Sequence, residues 1–299
     1  MQSASTSGPG NKTVEAGGLK LHYVEFGPQI RRPGYSSKND ANLLLLLHGS
    51  VGNARVWDAF AQAMTNAGYL GPIIALDLRG HGESEWANPP AYRCEDYVRD
   101  LEALIEQLSP QPVILVAHSM AVYHSIRFAA GYPDRVAGLV LVDIEAKCRD
   151  EHAQLLRSAG CKPHSLFSSV EEAMERERRV FPFTTDENLR AFVASNLREV
   201  CGEAGRQGEG GGLTYKYDRA SLAAFDDYDE RDRLGQIRCP ALVVYGKQSP
   251  LGRPDKMREM ASLIQGGRVV AIDRSGHLPQ LDNPEELANV VIEFLSRMA

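Results

Sequence analysis

The chain has 299 residues, with 33 Lys and Arg against 39 Asp and Glu, and a formal net charge of −6 at pH 7. That length suits one large domain or two small ones, with enough chain to bury a sizeable core. The acidic balance argues against nucleic acid or an anionic membrane as partner, because neither would attract the protein. Its five cysteines, Cys94, Cys148, Cys161, Cys201 and Cys239, are odd in number and widely spaced. Without a CxxC pair they support neither a zinc site nor a disulfide framework, and free thiols in a reducing, cytoplasmic compartment are expected.

The N-terminal "MQSASTSGPGNK" lacks a basic patch followed by an apolar stretch, so residues 1–12 read as a flexible tail rather than a signal peptide. Residues 20–26 alternate in strand fashion, and 27–40 read as an exposed loop. "LLLLLHG" (43–49) is a buried strand meeting a glycine, and its apolar run is too short to span a bilayer. Residues 53–67 are helical, with Trp57, Phe60 and Met64 at core spacing. "PIIALDLRGHGES" (72–84) is a strand entering a glycine-rich loop, 95–108 a helix, and "PVILVAHSM" (112–120) a strand that turns abruptly into a helix over 121–131. Residues 138–145, "GLVLVDIE", form the next strand, apolar until Asp143 and Glu145.

This strand–helix alternation predicts a mostly parallel sheet with helices on both faces. From 147 to 235 the signals are helical, with no convincing strand and a glycine-rich stretch at 202–212. Alternation then resumes with "PALVVYG" (240–246), a helix near 254–264, "RVVAID" (268–273) and a last helix over 284–297. The organisation expected is therefore a core of residues 13–146 and 236–299, interrupted by a helical cap, 147–235. An insertion at a strand's C-terminal end hangs over the ligand crevice of such a sheet.

Three stretches could carry chemistry. In "VAHSMA", Ser119 stands where a buried strand becomes a helix, between Ala117 and Ala121, small enough for a sharp turn. The following amide, that of Met120, lies at a helix N-terminus, where it can hold an anion; a plain serine helix cap is the competing reading. In "HGSVGN" (48–53), two glycines open the backbone so that the amides of Ser50 and Val51 could face a ligand, although a tight turn explains the same residues. "RSGHLPQLD" (274–282) carries His277 in a loop before the last helix.

Taken in order, the HG turn, the DLRGHGES loop, the AHSMA elbow, the helical insertion and the GH loop resemble the α/β-hydrolase family, over about residues 15 to 297. The resemblance implies an eight-stranded sheet flanked by helices, with the cap inserted after the sixth strand. It implies Ser119 as nucleophile, His277 as base, and an oxyanion hole of the Met120 and Ser50 amides with Val51 as secondary donor. His118, beside the nucleophile, is expected to pack under the cap or line the substrate pocket.

The acid is less direct. In the family it most often follows the seventh strand, about three residues past a glycine, and here "VVYGKQSPLGRPD" places Ser249 there. Some members resemble the alternative arrangement, with the acid after the sixth strand, which points to Asp143. Glu145 shares its face if the strand continues, and Asp255 is a further candidate better explained as a helix cap. The resemblance implies a serine hydrolase, a carboxylesterase of small to medium esters working through an acyl-enzyme with no metal or organic cofactor. The alternatives are a C–C hydrolase, lyase or perhydrolase on the same fold, and a non-catalytic small-molecule receptor. The partner expected is a small-molecule ester, and both a monomer and a homodimer are compatible with the sequence.

Overall fold

The computed structural model describes residues 9–27, 42–200 and 211–298. Cys201, the first eight residues and nearly all of the 27–40 and 202–212 stretches lie outside them. Strands β1 (Gly10–Ala16) and β2 (Leu19–Phe26) form an antiparallel hairpin. Gly10, Asn11 and Lys12 pair with Glu25, Val24 and Tyr23, so these three belong to the sheet and not to a tail. Then follow β3 (Leu44–Leu47), a 3₁₀ turn at Ala54–Trp57, α1 (Asp58–Asn66), β4 (Ile73–Leu76), α2 (Cys94–Leu108), β5 (Val113–His118), α3 (Met120–Gly131) and β6 (Val136–Val142).

After β6 come α4 (Asp150–Gly160), α5 (Val170–Val180), α6 (Asp186–Ser195), β7 (Leu197–Val200), β8 (Gly212–Tyr215), α7 (Arg219–Ala223) and α8 (Arg231–Leu234). The chain closes with β9 (Ala241–Gly246), α9 (Pro254–Leu263), β10 (Arg268–Ile272), α10 (Pro279–Asp282) and α11 (Pro284–Ser296). No helix among the described residues is long and apolar enough to cross a membrane.

Eight strands form one sheet in the order β1-β2-β4-β3-β5-β6-β9-β10, parallel from β4 to β10. The central strands are buried on both faces, and their side chains alternate between two cores. Leu45, Leu47, Leu115, Ala117, Leu139, Leu141 and Val243 pack with α2, α3 and α9. Leu44, Leu46, Ile114, Val116, Val140, Val142, Leu242 and Val244 pack with α1 and α11. The strand order reverses beside β3, the position at which an open α/β sheet leaves a crevice beyond its strand ends.

Two expectations are corrected. Residues 147–235 are not wholly helical: β7 and β8 form an antiparallel pair, Leu197 opposite Tyr215 and Val200 opposite Gly212. "NLREV" has helix-forming residues, but α6 ends at Ser195 with Asn196 as its C-cap, the Asn196 carbonyl accepts the Lys216 amide at 2.9 Å, and strand pairing then overrides propensity. The other correction concerns β6, which ends at Val142 rather than 145. Asp143 has a positive φ of 58°, which turns the chain out of the sheet before Glu145.

Candidate active site

Three non-glycine described residues have positive φ: Ser119 (53°), Asp143 (58°) and Arg274 (47°), the last three residues before His277. Strain at sparsely populated backbone angles, of order 1–3 kcal/mol each, persists where the surroundings over-determine it. At Ser119 they do: its amide donates to the Val142 carbonyl and its carbonyl accepts the Val122 amide, both at 2.9 Å. Ala117 and Ala121 are fully buried and have ordinary φ, so this elbow confines the strained angle to the serine and needs no flanking glycine. Gly49 meets the elbow from β3. A Cβ there would lie 2.9 Å from the Ser119 Cβ and 3.1 Å from His118 Nδ1, so only glycine permits the approach.

His277 lies between β10 and α10, 158 residues from Ser119 in sequence, with its Nε2 at 3.1 Å from Ser119 Oγ. Its Nδ1 is 2.7 Å from Asp143 Oδ2. A carboxylate only accepts, so Nδ1 carries the proton and Nε2 presents its lone pair to the serine hydroxyl. Asp143 is fully buried, and its Oδ1 accepts the Gly246 amide at 2.9 Å. The Ser249 hydroxyl donates to Asp143 Oδ2 at 2.5 Å. The position where the sequence lacks an aspartate is thus in direct contact with the carboxylate that reaches His277.

Glu145 is not in this relay. Arg253 grips it bidentately, Nε to Oε1 at 2.6 Å and Nη2 to Oε2 at 2.8 Å. Glu145, Arg149, Arg253, Lys256 and Met260 border a cleft of about 320 Å³ that Ser119 and His277 do not line. Asp255 sits in the first turn of α9 and has no place in the relay either.

His118 is buried, 3% exposed, as packing beneath the cap requires. Its Nε2 donates to the His277 carbonyl at 2.7 Å, and the two rings are 4.6 Å apart. Burial, with the charge of His277 and His48 adding to it, holds His118 well below the usual histidine range, so it stays neutral beside the base. The loop is held further by Gly276 N–H on Asp282 Oδ2 (2.8 Å) and Ser275 N–H on Gln248 Oε1 (2.9 Å).

On the opposite wall, the Gly49, Ser50 and Val51 carbonyls of the HG turn are taken up by protein donors. Gly49 O accepts from His48 Nδ1 at 2.7 Å and from the Gly52 amide at 3.2 Å. A trans peptide directs its N–H opposite its C=O, so the Ser50 amide faces away from these partners. Ser50 O accepts from His81 Nε2 at 2.8 Å, and Val51 O from Asn196 Nδ2 at 2.7 Å. Met120 opens α3, where N–H groups have no intrahelical acceptor.

The inserted segment touches both walls. Asn53 Nδ2 donates to Ser195 O at 3.0 Å beside the Asn196–Val51 bond. Thr184 Oγ1 donates to Asp282, and Asn188 Nδ2 donates to Leu281 O at 3.0 Å, on the histidine side. His152 of α4 is lowered from the usual histidine range by burial first and then by the charge of His277. Ser119 is 6% exposed beneath these elements. Asn53, Asn196 and Ser249 were not among the sequence candidates for the site. Their partners are between 106 and 145 residues away, and no local pattern marks them.

The profile of the alpha/beta hydrolase family matches residues 44–290. Esterase Rv0045c of Mycobacterium tuberculosis is 27% identical over 83% of this chain and 80% of its own. A 2-hydroxy-6-oxononadienedioate/2-hydroxy-6-oxononatrienedioate hydrolase of Burkholderia vietnamiensis is 25% identical over 95% of this chain and 98% of its own. Among solved structures, E-2-(acetamidomethylene)succinate hydrolase superposes with a TM-score of 0.81 at 23% identity, over 96% of this chain and 99% of that one, a likeness of fold.

Proposed function

Because the chain belongs to the alpha/beta hydrolase family, we propose that it is a serine hydrolase of small to medium carboxylic esters, acting through an acyl-enzyme on Ser119. The observation that carries this reading is the continuous relay from the strained Ser119 through His277 to Asp143. In it, Ser119 Oγ attacks the ester carbonyl while its proton passes to His277 Nε2. Asp143 stabilises the resulting imidazolium. The amides of Met120 and Ser50, with Val51 as secondary donor, bind the tetrahedral oxyanion. His277 returns the proton to the leaving alcohol, then takes one from water as that water attacks the acyl-enzyme, which releases the acid and restores the serine. Residues 147–235 serve as the cap, excluding bulk water and shaping the pocket.

A second reading, a hydrolase of C–C bonds, uses the same residues. Its support is the Burkholderia relative, which this chain matches over a larger share of both lengths than it does the mycobacterial esterase. Steady-state kinetics separate the two. The ester reading predicts saturable turnover of p-nitrophenyl esters, acetate to octanoate, with one preferred chain length. It is overturned if these are inert while a 2-hydroxy-6-oxo-dienedioate is cleaved.

A further inference from the structure

We infer that Ser249 is a positioning residue for the reaction, acting through Asp143: its hydroxyl fixes which carboxylate oxygen faces His277 and shares the charge on that oxygen. The inference rests on the serine-hydrolase reading above and adds a residue to it.

Asp143 follows a strand end with a positive φ, and its carboxyl must cross from β6 towards the loop after β10. Two contacts set its rotation. The Gly246 amide holds Oδ1 at 2.9 Å, and the Ser249 hydroxyl holds Oδ2 at 2.5 Å. Oδ2 is also the oxygen 2.7 Å from His277 Nδ1, so it receives two donors. The Ser249 hydroxyl is itself held, because its Oγ accepts the amides of Leu251 at 3.1 Å and Gly252 at 3.2 Å. A hydroxyl has one proton, and with two amides on its lone pairs that proton is directed at Asp143. Gly252 closes the arrangement, since a Cβ there would stand 2.5 Å from Asp143 Oδ1. Gly246, Ser249, Leu251 and Gly252 thus form a cradle around a fully buried carboxylate that, among the described residues, pairs with His277 and with no Lys or Arg.

The electrostatic consequence has a definite sign. A hydrogen bond from a neutral donor stabilises the carboxylate charge and makes Oδ2 a weaker partner for the imidazolium. Removing it leaves that oxygen to His277 alone, which favours the protonated imidazole and moves the acid limb of the rate profile to higher pH. The other groups facing this pair are the same in the variants. They are neutral His118 beside the ring, His152, whose charge opposes that of His277, Asp282 on the Gly276 amide, and the Glu145–Arg253 pair two residues along from Asp143.

The test compares Ser249→Ala with Ser249→Thr, which keeps the hydroxyl, and Ser249→Cys, which keeps the volume with a weak donor. The expected result for Ser249→Ala is a kcat about 10- to 100-fold lower, the range for losing a hydrogen bond to a charged group. KM is unchanged and the acid limb shifts up, while Thr restores both and Cys falls between. The proposal is overturned if Ala equals wild type, or if Ala and Thr lose activity equally with the acid limb unmoved. The proton NMR resonance of His277 Nδ1–H in resting enzyme gives a readout that needs no turnover, and it should move further downfield in Ser249→Ala. If wild type hydrolyses no ester while that resonance moves, the ester reading fails alone. If wild type is active and the resonance and rates of Ser249→Ala match it, the positioning role fails alone.

Discussion

Asp143 Oδ2 lies 2.7 Å from His277 Nδ1, whereas Glu145, two residues further along the chain, is turned away into a bidentate pair with Arg253. The positive φ at Asp143 separates these two acids, ending β6 one residue before it and directing the later carboxylate outwards. The substitutions Asp143→Asn and Glu145→Gln should therefore diverge. Asp143→Asn keeps the fold and lowers kcat by about 10⁴, the effect of an amide in a serine triad. Glu145→Gln keeps near-wild-type kcat and costs at most about 1 kcal/mol, because Arg253 is partly exposed. Ester turnover and thermal melting of both variants check this, and a dead Glu145→Gln beside an active Asp143→Asn would reverse the assignment.

Gly49 gives a steric prediction. The Cβ of Gly49→Ala would meet the Ser119 Cβ at 2.9 Å, and that atom is anchored to a strained backbone that cannot retreat. The HG turn must then move away from the elbow and take the Ser50 amide with it. The expected outcome is a kcat at least about 10²-fold lower, the cost of losing one oxyanion donor, with the circular dichroism spectrum retained. Wild-type kcat in this variant would show that the Ser50 amide does not serve the reaction.

Much of this site was legible in the sequence because its parts stand at strand ends. A buried run that stops at a small-residue serine turn or at a glycine suggests a sheet's functional edge, but each such stretch alone has a plain structural reading, and Ser119, His277 and the HG turn are singled out by the resemblance that their order along the chain carries. The resemblance implies Asp143 by the family's alternative acid position after the sixth strand, because Ser249 stands at the usual one, and it leaves Glu145 open. That Ser249 bonds Asp143 could not be read, since 106 residues separate them and only the pairing of β6 with β9 brings them together. For His118 the sequence leaves two alternatives open, because adjacency to a nucleophile says nothing of side-chain direction. On β5 it points to the His277 loop. The β7–β8 pair was missed because helix-forming residues in a short segment yield to a tertiary partner.

Buried histidines give a prediction for stability. Burial lowers His48 and His124 to about 3, with His81 and Arg127 respectively the next causes. His118 and His81 are lowered as well, again by burial first. Below the unfolded-state value of about 6.5, the unfolded chain takes up protons that the native state refuses, so stability falls as pH falls. Each such histidine contributes up to about 1.4 kcal/mol per pH unit in that range. Asp58, raised by burial to about 6, acts in the opposite sense, and it cancels in a comparison of variants. His124→Gln should be less stable at pH 7, having lost the stack on Tyr97 at 4.2 Å, yet show a flatter loss between pH 6.5 and 5. Denaturant midpoints across that range measure the slope. A slope equal to wild type would mean that His124 takes up its proton in the native state.

The most direct test of the account is whether Ser119 is an activated nucleophile. Intact-mass spectrometry of the folded protein after treatment with a fluorophosphonate should show one adduct per chain, mapped to Ser119, absent from Ser119→Ala and strongly slowed in His277→Ala. A folded wild-type protein that stays unmodified, or an adduct that persists in Ser119→Ala, would contradict it.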